Sequence, residues 1–319
     1  MSHHSGQPCS PSRRRKLTPP CGSQRSAIID DPRHLGKFHK RVEEALRATG
    51  SQLNGVSLDE FVAELDRCIR KHAAFVRRLS RVQFPKDDIY SLIQAAVESG
   101  DLDEAFWRAF IAAHLGRTSA NPEKPAEVIS ATWLLCDFGS MPVWTWKRFS
   151  TDPEAFQVWL LESSRSGNLN KLRFGNHRKY ESKKPRTLWK VIESFYALVQ
   201  DDYGGRPSDL FNCDDEAATP EARFRLLYDR LKPLKRFGRT ARFDLLCLLL
   251  DLGLINTQPD CCCLKGATGP LAGARLIWKN QPVKELELRA ADLAKKLRVS
   301  PQVLEDALCI WQKSEPGLR

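Results

Sequence analysis

The sequence has no apolar run of about 18 residues, the length that a membrane-spanning helix requires. Its first residues, MSHHSGQPCSPSRRRKLTPPCGSQRS, are polar and basic and lack the apolar stretch of a secretory signal. Hydrophobic residues make up 42% of the composition and charged residues 28%, as in an ordinary globular protein. We therefore expect no membrane segment, a disordered basic tail at 1–27, a folded part at 28–315, and a cytoplasmic or nucleoid-associated location.

Metal-binding patterns are lacking as well. The ten cysteines include no CxxC pair, and the histidines form no HxxxH or HxxE spacing. We expect reduced thiols, and the residues identify no cofactor and no metal site. Cys261, Cys262 and Cys263 form an unusual run. Because neighbouring side chains diverge, we expect packing or exposed thiols there.

Alternating runs of β-branched residues are missing, and Leu, Ala, Glu, Lys and Arg dominate the periodic segments. Apolar residues recur at spacings of three and four, which predicts an all-α fold. Ser57 and Asp101 stand where N-caps are expected. We expect two lobes, 28–120 and 121–315. The predicted helices span 33–48, 58–81, 87–99, 102–115, 126–136, 152–163, 186–200, 218–231, 240–253, 286–297 and 301–313.

Positive charge is in excess and unevenly distributed. Lys plus Arg number 50 against 39 Asp plus Glu, for a formal charge of +11. The segment 171–190 holds eight basic residues and one acid, and the segment 230–242 holds six basic residues and no acid. Such clusters indicate a phosphate-bearing partner, and binding to DNA through them should depend on salt.

The segment LKPLKRFGRTARFDLLCLLLDLGL, 231–254, combines a basic turn with a helix that is apolar all round. We expect Gly238 to need a positive φ and to let the backbone approach phosphate, with the helix N-terminus facing the anion. The turn resembles the hairpin of helix-hairpin-helix DNA glycosylases; an ordinary packing turn is the alternative. The candidate phosphate or DNA contacts in it are Lys235, Arg236, Gly238, Arg239, Thr240 and Arg242.

Two further segments carry candidate anion contacts. RFGNHRKYE, 173–181, offers Asn176, Arg178 and Lys179 for phosphate and Glu181 as a base, although the spacing alone slightly favours a solvated basic surface. LKGATGPLAGARLIW, 264–278, has three glycines in eight residues, which favours a pyrophosphate cradle or a plain turn. It is no Walker motif. Its candidate contacts are Lys265, Thr268 and Arg275.

The segment MPVWTWKRFS, 141–150, places aromatic rings beside two cations. Trp144, Trp146 and Phe149 would stack on a flipped base or a single strand, or else belong to the core. Lys147 and Arg148 are candidate DNA contacts.

Four motifs in this order, FGNHRKYE, LKRFGRTARFD, LKGATGPLAGAR and VLEDALCIWQKS, resemble clade 3 of the alpha-glutamyl/putrescinyl-thymine pyrophosphorylase family over about 30–315. The resemblance implies a helical fold related to DNA glycosylases. It also implies DNA as substrate, in which an amine co-substrate, an amino acid or a polyamine, replaces the pyrophosphate on a pyrophosphorylated 5-hydroxymethyluracil.

That reaction explains the residue types. Departing pyrophosphate develops negative charge, which preplaced Arg and Lys side chains stabilise, and the incoming amine must lose a proton to a carboxylate. Glu181, Asp244 and Asp260 are the candidate bases. Two other functions remain open: a glycosylase, which would leave abasic DNA, and a DNA-binding module without catalysis.

Overall fold

The computed structural model describes residues 32–51, 53–81, 84, 88–116, 130–137, 143–172, 174–175, 182–213, 216–279 and 281–313. These residues form fourteen α-helices and one 3₁₀ turn at Asn168–Lys171, and the all-α prediction is confirmed. The tail predicted at 1–27 lies outside the described residues. The helices are α1 (Pro32–Ala48), α2 (Gly55–Ser80), α3 (Ile89–Glu98), α4 (Leu102–Leu115), α5 (Ser130–Leu135), α6 (Trp146–Thr151), α7 (Pro153–Arg165), α8 (Pro185–Asp202), α9 (Pro207–Phe211), α10 (Pro220–Arg230), α11 (Arg239–Asp251), α12 (Gly269–Trp278), α13 (Val283–Leu297) and α14 (Pro301–Trp311).

Local chemistry explains most helix boundaries. The Asp101 side chain accepts a hydrogen bond from the backbone N–H of Glu104 at 3.0 Å, so this predicted N-cap is confirmed. The predicted cap at Ser57 is wrong, because α2 already begins at Gly55 and its N-cap is Asn54. The short helices α6 and α9 were not predicted, since five or six residues carry too little periodicity. Among the described helices, none is long and apolar enough to cross a membrane.

The buried side chains form two hydrophobic clusters. The first cluster runs from α3 to α11 and ends at Ile255. The second cluster joins α1 and α2 to α12, α13 and α14, and it also contains Cys262 and Leu264. The lobes expected at 28–120 and 121–315 stay a prediction, because buried clusters do not test which parts of the chain fold on their own.

Helix α4 lies at the centre of the first cluster. The Trp107 ring stacks on Phe149 with centroids 4.8 Å apart, and the Phe110 ring stacks on Phe195 at 4.0 Å. The Trp107 indole N–H donates to the backbone carbonyl of Trp144 at 2.9 Å. Helix α11 packs against α4, so α4 supports the helix that follows the basic turn.

Polar contacts join the two clusters. Asp251, at the end of α11, lies 3.5 Å from His72 Nε2 on α2 and also accepts from Gln302 Nε2 on α14 at 3.5 Å. At the other end of α11, Arg239 donates to Glu305 on α14 at 2.5 Å. Both ends of α11 are therefore tied to the second cluster.

For the segment 264–278 we expected a pyrophosphate cradle or a plain turn, but residues 269–278 form helix α12, and two of its glycines pack against α14. A Cβ atom at Gly273 would lie 2.3 Å from the carbonyl oxygen of Leu308. A Cβ atom at Gly269 would lie 2.7 Å from Cys309 Sγ. These two glycines allow two helices to approach closely, a packing role that differs from both the cradle and the plain turn.

We predict that Gly273→Ala destabilises the protein by about 1–3 kcal/mol or more, because the added methyl group overlaps backbone that cannot move without separating α12 from α14. Urea unfolding followed by circular dichroism measures this loss. The control is Gly36→Ala in α1, where a Cβ meets nothing within 4 Å and alanine favours the helix. Equal stability of both variants would contradict the packing role of Gly273.

Candidate functional site

The basic turn, 231–238, exposes the side chains of Lys235 and Arg236 immediately before α11. Gly238 is extended, with φ −71°, and Arg236 is the left-handed residue, with φ +56°. The expectation that Gly238 needs a positive φ is therefore wrong. A Cβ at Gly238 would meet nothing within 4 Å, so the space beside this backbone is open to an approaching group.

The basic turn is anchored on α4 and α8. The buried Phe237 ring lies 5.3 Å from Phe110 and 6.4 Å from His114, both on α4. The backbone N–H of Lys235 donates to Ser194 Oγ on α8 at 3.0 Å. These contacts fix the backbone of the turn, on which Lys232, Lys235 and Arg236 are exposed.

Arg239 begins α11, and its guanidinium is buried, with 8% of the residue exposed. It donates to Glu305 at 2.5 Å, to the carbonyl of Cys263 at 2.5 Å and to the carbonyl of Cys262. A guanidinium engaged in this way is not available to pyrophosphate. Its placement favours a packing role over the predicted phosphate contact.

Glu305, the carboxylate partner of Arg239, has a raised pKa. Burial raises the pKa of Glu305 to about 7, although Arg239 opposes the shift, while Asp306 and Asp244 add to it. Burial and the neighbouring carboxylates thus favour the neutral form of Glu305, while Arg239 favours the charged form, at the point where α11 meets α14.

The segment 259–264, which we call the cysteine loop, follows α11 and is held by three charged side chains from other elements. The Arg225 guanidinium on α10 donates to Asp260 Oδ2, with its Nε at 2.6 Å. Glu287 on α13 accepts from the backbone N–H of Leu264 at 2.5 Å. Arg239 supplies the third attachment. Among the described residues, the second oxygen of Asp260, Oδ1, is buried and has no hydrogen-bond partner.

The other predicted residues of α11 lie near this junction. Arg242 is half-buried, with its guanidinium 4.3 Å from the centre of the Tyr228 ring and a hydrogen bond from Nη1 to the Tyr228 carbonyl at 3.4 Å. Thr240 and Asp244 are half-buried. Asp244 interacts electrostatically with Arg239, so this candidate base lies close to the buried ion pair.

The segment 173–181 lies mostly outside the described residues, including the candidates Asn176, Arg178, Lys179 and Glu181. Of this segment, residues 174 and 175 are described. The Gly175 N–H donates to the carbonyl of Leu115 at 2.7 Å, and the Phe174 ring lies 5.9 Å from His114. Because His114 also neighbours Phe237, the beginning of this segment and the basic turn share one support at the end of α4.

The remaining candidates are exposed. Lys265 and Thr268 precede α12, and Arg275 lies in its last turn. Lys147 and Arg148 lie on α6, which packs against α4 and α7.

The aromatic residues between 144 and 149 belong to the core. Trp144 is 3% exposed, Trp146 6% and Phe149 0%. Arg148 lies over the Trp144 ring at 4.3 Å. This placement agrees with the core alternative for the three rings and leaves the two cations accessible.

Four residues of this region had no role in the sequence analysis: His114, Arg225, Glu287 and Glu305. Each acts through a partner that is distant in sequence, as in the pair Arg225–Asp260, and the local pattern holds no signal for such pairs. Glu305 does fall inside a quoted motif, VLEDALCIWQKS, and an acid on the apolar side of a helix was an available clue. The described residues contain no group of three or more His, Cys, Asp or Glu side chains arranged for a metal ion.

Comparison with protein families matches residues 57–317 to the model described as Alpha-glutamyl/putrescinyl thymine pyrophosphorylase clade 3. The match covers most of the chain and confirms the family and clade inferred from the four motifs. The chain has no significant match among curated proteins or among solved structures. The resemblance to helix-hairpin-helix glycosylases therefore stays a prediction.

We predict that Glu305 makes stability depend on pH between about 4.5 and 7. A carboxyl whose pKa is raised by folding contributes stability that is fully present below its unfolded pKa and is lost as pH rises through the folded value, here about 7. Stability should therefore fall as pH rises through this range, and Glu305→Gln should remove this part of the pH dependence because glutamine cannot ionise.

Urea unfolding of wild type and variant from pH 4.5 to 8 measures the difference. The control is Glu44→Gln on α1, where the carboxylate is exposed and its removal should leave the pH dependence of wild type. Parallel curves for wild type and Glu305→Gln would show that Glu305 does not titrate in this range.

Proposed function

Because the chain belongs to the alpha-glutamyl/putrescinyl thymine pyrophosphorylase clade 3 family, we propose that it acts on DNA and replaces the pyrophosphate of a pyrophosphorylated 5-hydroxymethyluracil with an amine. The observation that carries this proposal is the basic turn, where exposed cations and an open backbone precede a helix N-terminus. These groups are suited to phosphate because they combine positive charge, N–H donors and space.

Both the basic turn and the first residue of α11 are anchored to neighbouring helices. Phe237 fixes it to α4, and Arg239 fixes the first residue of α11 to α14. The N–H groups of the first helical turn therefore hold their direction without help from the ligand. Preorganised donors of this kind stabilise charge as it develops on a leaving group.

Asp260 is the candidate base that the described geometry favours. Arg225 holds one carboxylate oxygen, and the other oxygen is buried without a partner among the described residues. A buried polar atom without a hydrogen bond is costly, and a substrate donor can satisfy it. In the proposed reaction the donor is the incoming amine, after a small opening of the cysteine loop.

The reaction balances as a substitution. The amine nitrogen forms a bond to the methylene carbon on the uracil ring, and the bond from that carbon to the pyrophosphate oxygen breaks. Pyrophosphate leaves with both electrons of this bond and is stabilised by Lys235, Arg236 and the N-terminus of α11. The amine proton passes to a carboxylate, for which Asp260, Asp244 and Glu181 are the candidates.

We predict that Lys235→Ala weakens DNA binding and lowers the salt dependence of log Kd by about one unit of slope, because one phosphate contact is lost. Gly238→Ala should also weaken binding, since its methyl group occupies the open space without disturbing an extended backbone. Fluorescence anisotropy at several salt concentrations measures both effects.

The matched control is Lys284→Ala, which removes one exposed charge from α13, a helix of the second cluster. Wild-type affinity and salt slope in Lys235→Ala and Gly238→Ala, with normal circular dichroism, would remove the turn from the DNA interface.

We predict that Asp260→Asn lowers the single-turnover rate on pyrophosphorylated hydroxymethyluracil DNA by about a hundredfold, the scale of a positioned acid or base, while DNA affinity stays within a factor of a few. Digestion to nucleosides and mass spectrometry identify the aminated base. Glu181→Gln and Asp244→Asn are compared in parallel, and Asp292→Asn on α13 is the control.

The variant that loses activity identifies the carboxylate that acts as the base. A hundredfold loss in Glu181→Gln or Asp244→Asn with full activity in Asp260→Asn would transfer the role to that residue. Abasic DNA from wild type would identify a glycosylase instead, and binding without conversion of any amine would identify a DNA-binding module.

A further inference from the structure

The cysteine loop carries a feature that the proposed reaction does not use. The Sγ atoms of Cys261 and Cys263 lie 3.6 Å apart, and both residues are half-buried. The intervening Cys262 is buried, and its thiol donates to the carbonyl of Pro301. The first and third thiols therefore face each other, while the middle thiol points into the second cluster.

The exposure of the thiols separates this pair from the other cysteines that the structure describes. Cys261 and Cys263 are the two that are not buried. The six buried cysteines of the described residues are Cys68, Cys136, Cys213, Cys247, Cys262 and Cys309. Reagents in solution can thus reach two thiols that are already adjacent.

We propose that Cys261 and Cys263 form a reversible dithiol site that closes to an intrachain disulfide when a small-molecule disulfide such as oxidised glutathione reacts with it. This modification site goes beyond the proposed function, and its chemistry does not require DNA or an amine.

The two sulfurs share a hydrogen bond in which either atom can be the donor. This hydrogen bond and burial raise the pKa of the Cys261 thiol. The permanently charged guanidinium of Arg225 interacts electrostatically with both sulfurs and attracts the negative charge that either one carries during exchange.

The electrons balance in two exchanges. One of the two sulfurs, as a thiolate, attacks one sulfur of oxidised glutathione, forms a mixed disulfide and releases one glutathione thiolate. The other protein thiol then loses its proton, and its sulfur attacks the protein sulfur of the mixed disulfide and releases the second glutathione thiolate. Two protein thiols are oxidised, one glutathione disulfide is reduced, and the two protons reside on the two glutathione molecules.

The test uses the full chain with Cys9→Ser and Cys21→Ser, which removes the two cysteines outside the described residues. We expect treatment with oxidised glutathione to consume two thiols and to remove two hydrogen atoms from the intact mass, with restoration by dithiothreitol. Cys261→Ser and Cys263→Ser should each abolish this change, and Cys262→Ala should retain it.

Three outcomes would overturn the proposal. They are a stable glutathione adduct on the parent chain, a covalent dimer on a non-reducing gel, and loss of the oxidised form in Cys262→Ala with retention in Cys261→Ser or Cys263→Ser. Circular dichroism of each variant checks whether it is folded. If Cys262→Ala is unfolded, peptide mapping of the parent chain under partial reduction locates the disulfide instead.

Discussion

The buried guanidinium of Arg239 connects three parts of this protein that are distant in sequence. A charged group at 8% exposure is stable only when partners replace its water, and Glu305 and the carbonyls of Cys262 and Cys263 are those partners. The first turn of α11, the cysteine loop and α14 are therefore positioned together. The direction in which α11 presents its N-terminus depends on this arrangement.

The basic segment 230–242 contains both a buried cation, Arg239, and exposed cations. Arg239 forms hydrogen bonds inside the protein, whereas Lys232, Lys235 and Arg236 are exposed. A count of basic residues gives both kinds equal weight, although only exposed cations can displace counterions from DNA. Fewer residues can therefore bind DNA phosphate than the count of basic residues indicates. Buried Arg239 contributes instead by holding the helix that follows the exposed cations.

Most helices could be predicted because apolar spacing reports directly which face is buried, as for Phe61 and Leu65 in α2. Helix α12 could not be predicted in this way. Glycine normally indicates a turn. At Gly273, however, glycine is required because a Cβ atom would overlap the carbonyl of Leu308, a residue that is distant in sequence. The distinction between a glycine for packing and a glycine for a ligand therefore requires the tertiary structure.

The candidate site shows the same limit. The segments around the basic turn and residues 173–181 could be selected from their charge, but their meeting through Phe237, His114 and Phe174 could not be derived from it. Likewise, Asp260 was a candidate by its distance from the turn, while its partner Arg225 carried no local signal. Residue type identified candidates, and long-range packing decided which of them act together.

The composition of the second cluster has a consequence for synthesis on the ribosome. Helices α1 and α2 emerge early, yet their apolar faces are completed by α12, α13 and α14, as in the edge-to-face contact of Phe61 with Trp311. The first cluster needs only residues up to Ile255 and is able to form sooner. The native packing partners of Phe61 are therefore not yet synthesised while the middle of the chain is made. During that time the apolar face of α2 lacks these partners, and exposed apolar surface of this kind is what chaperones bind.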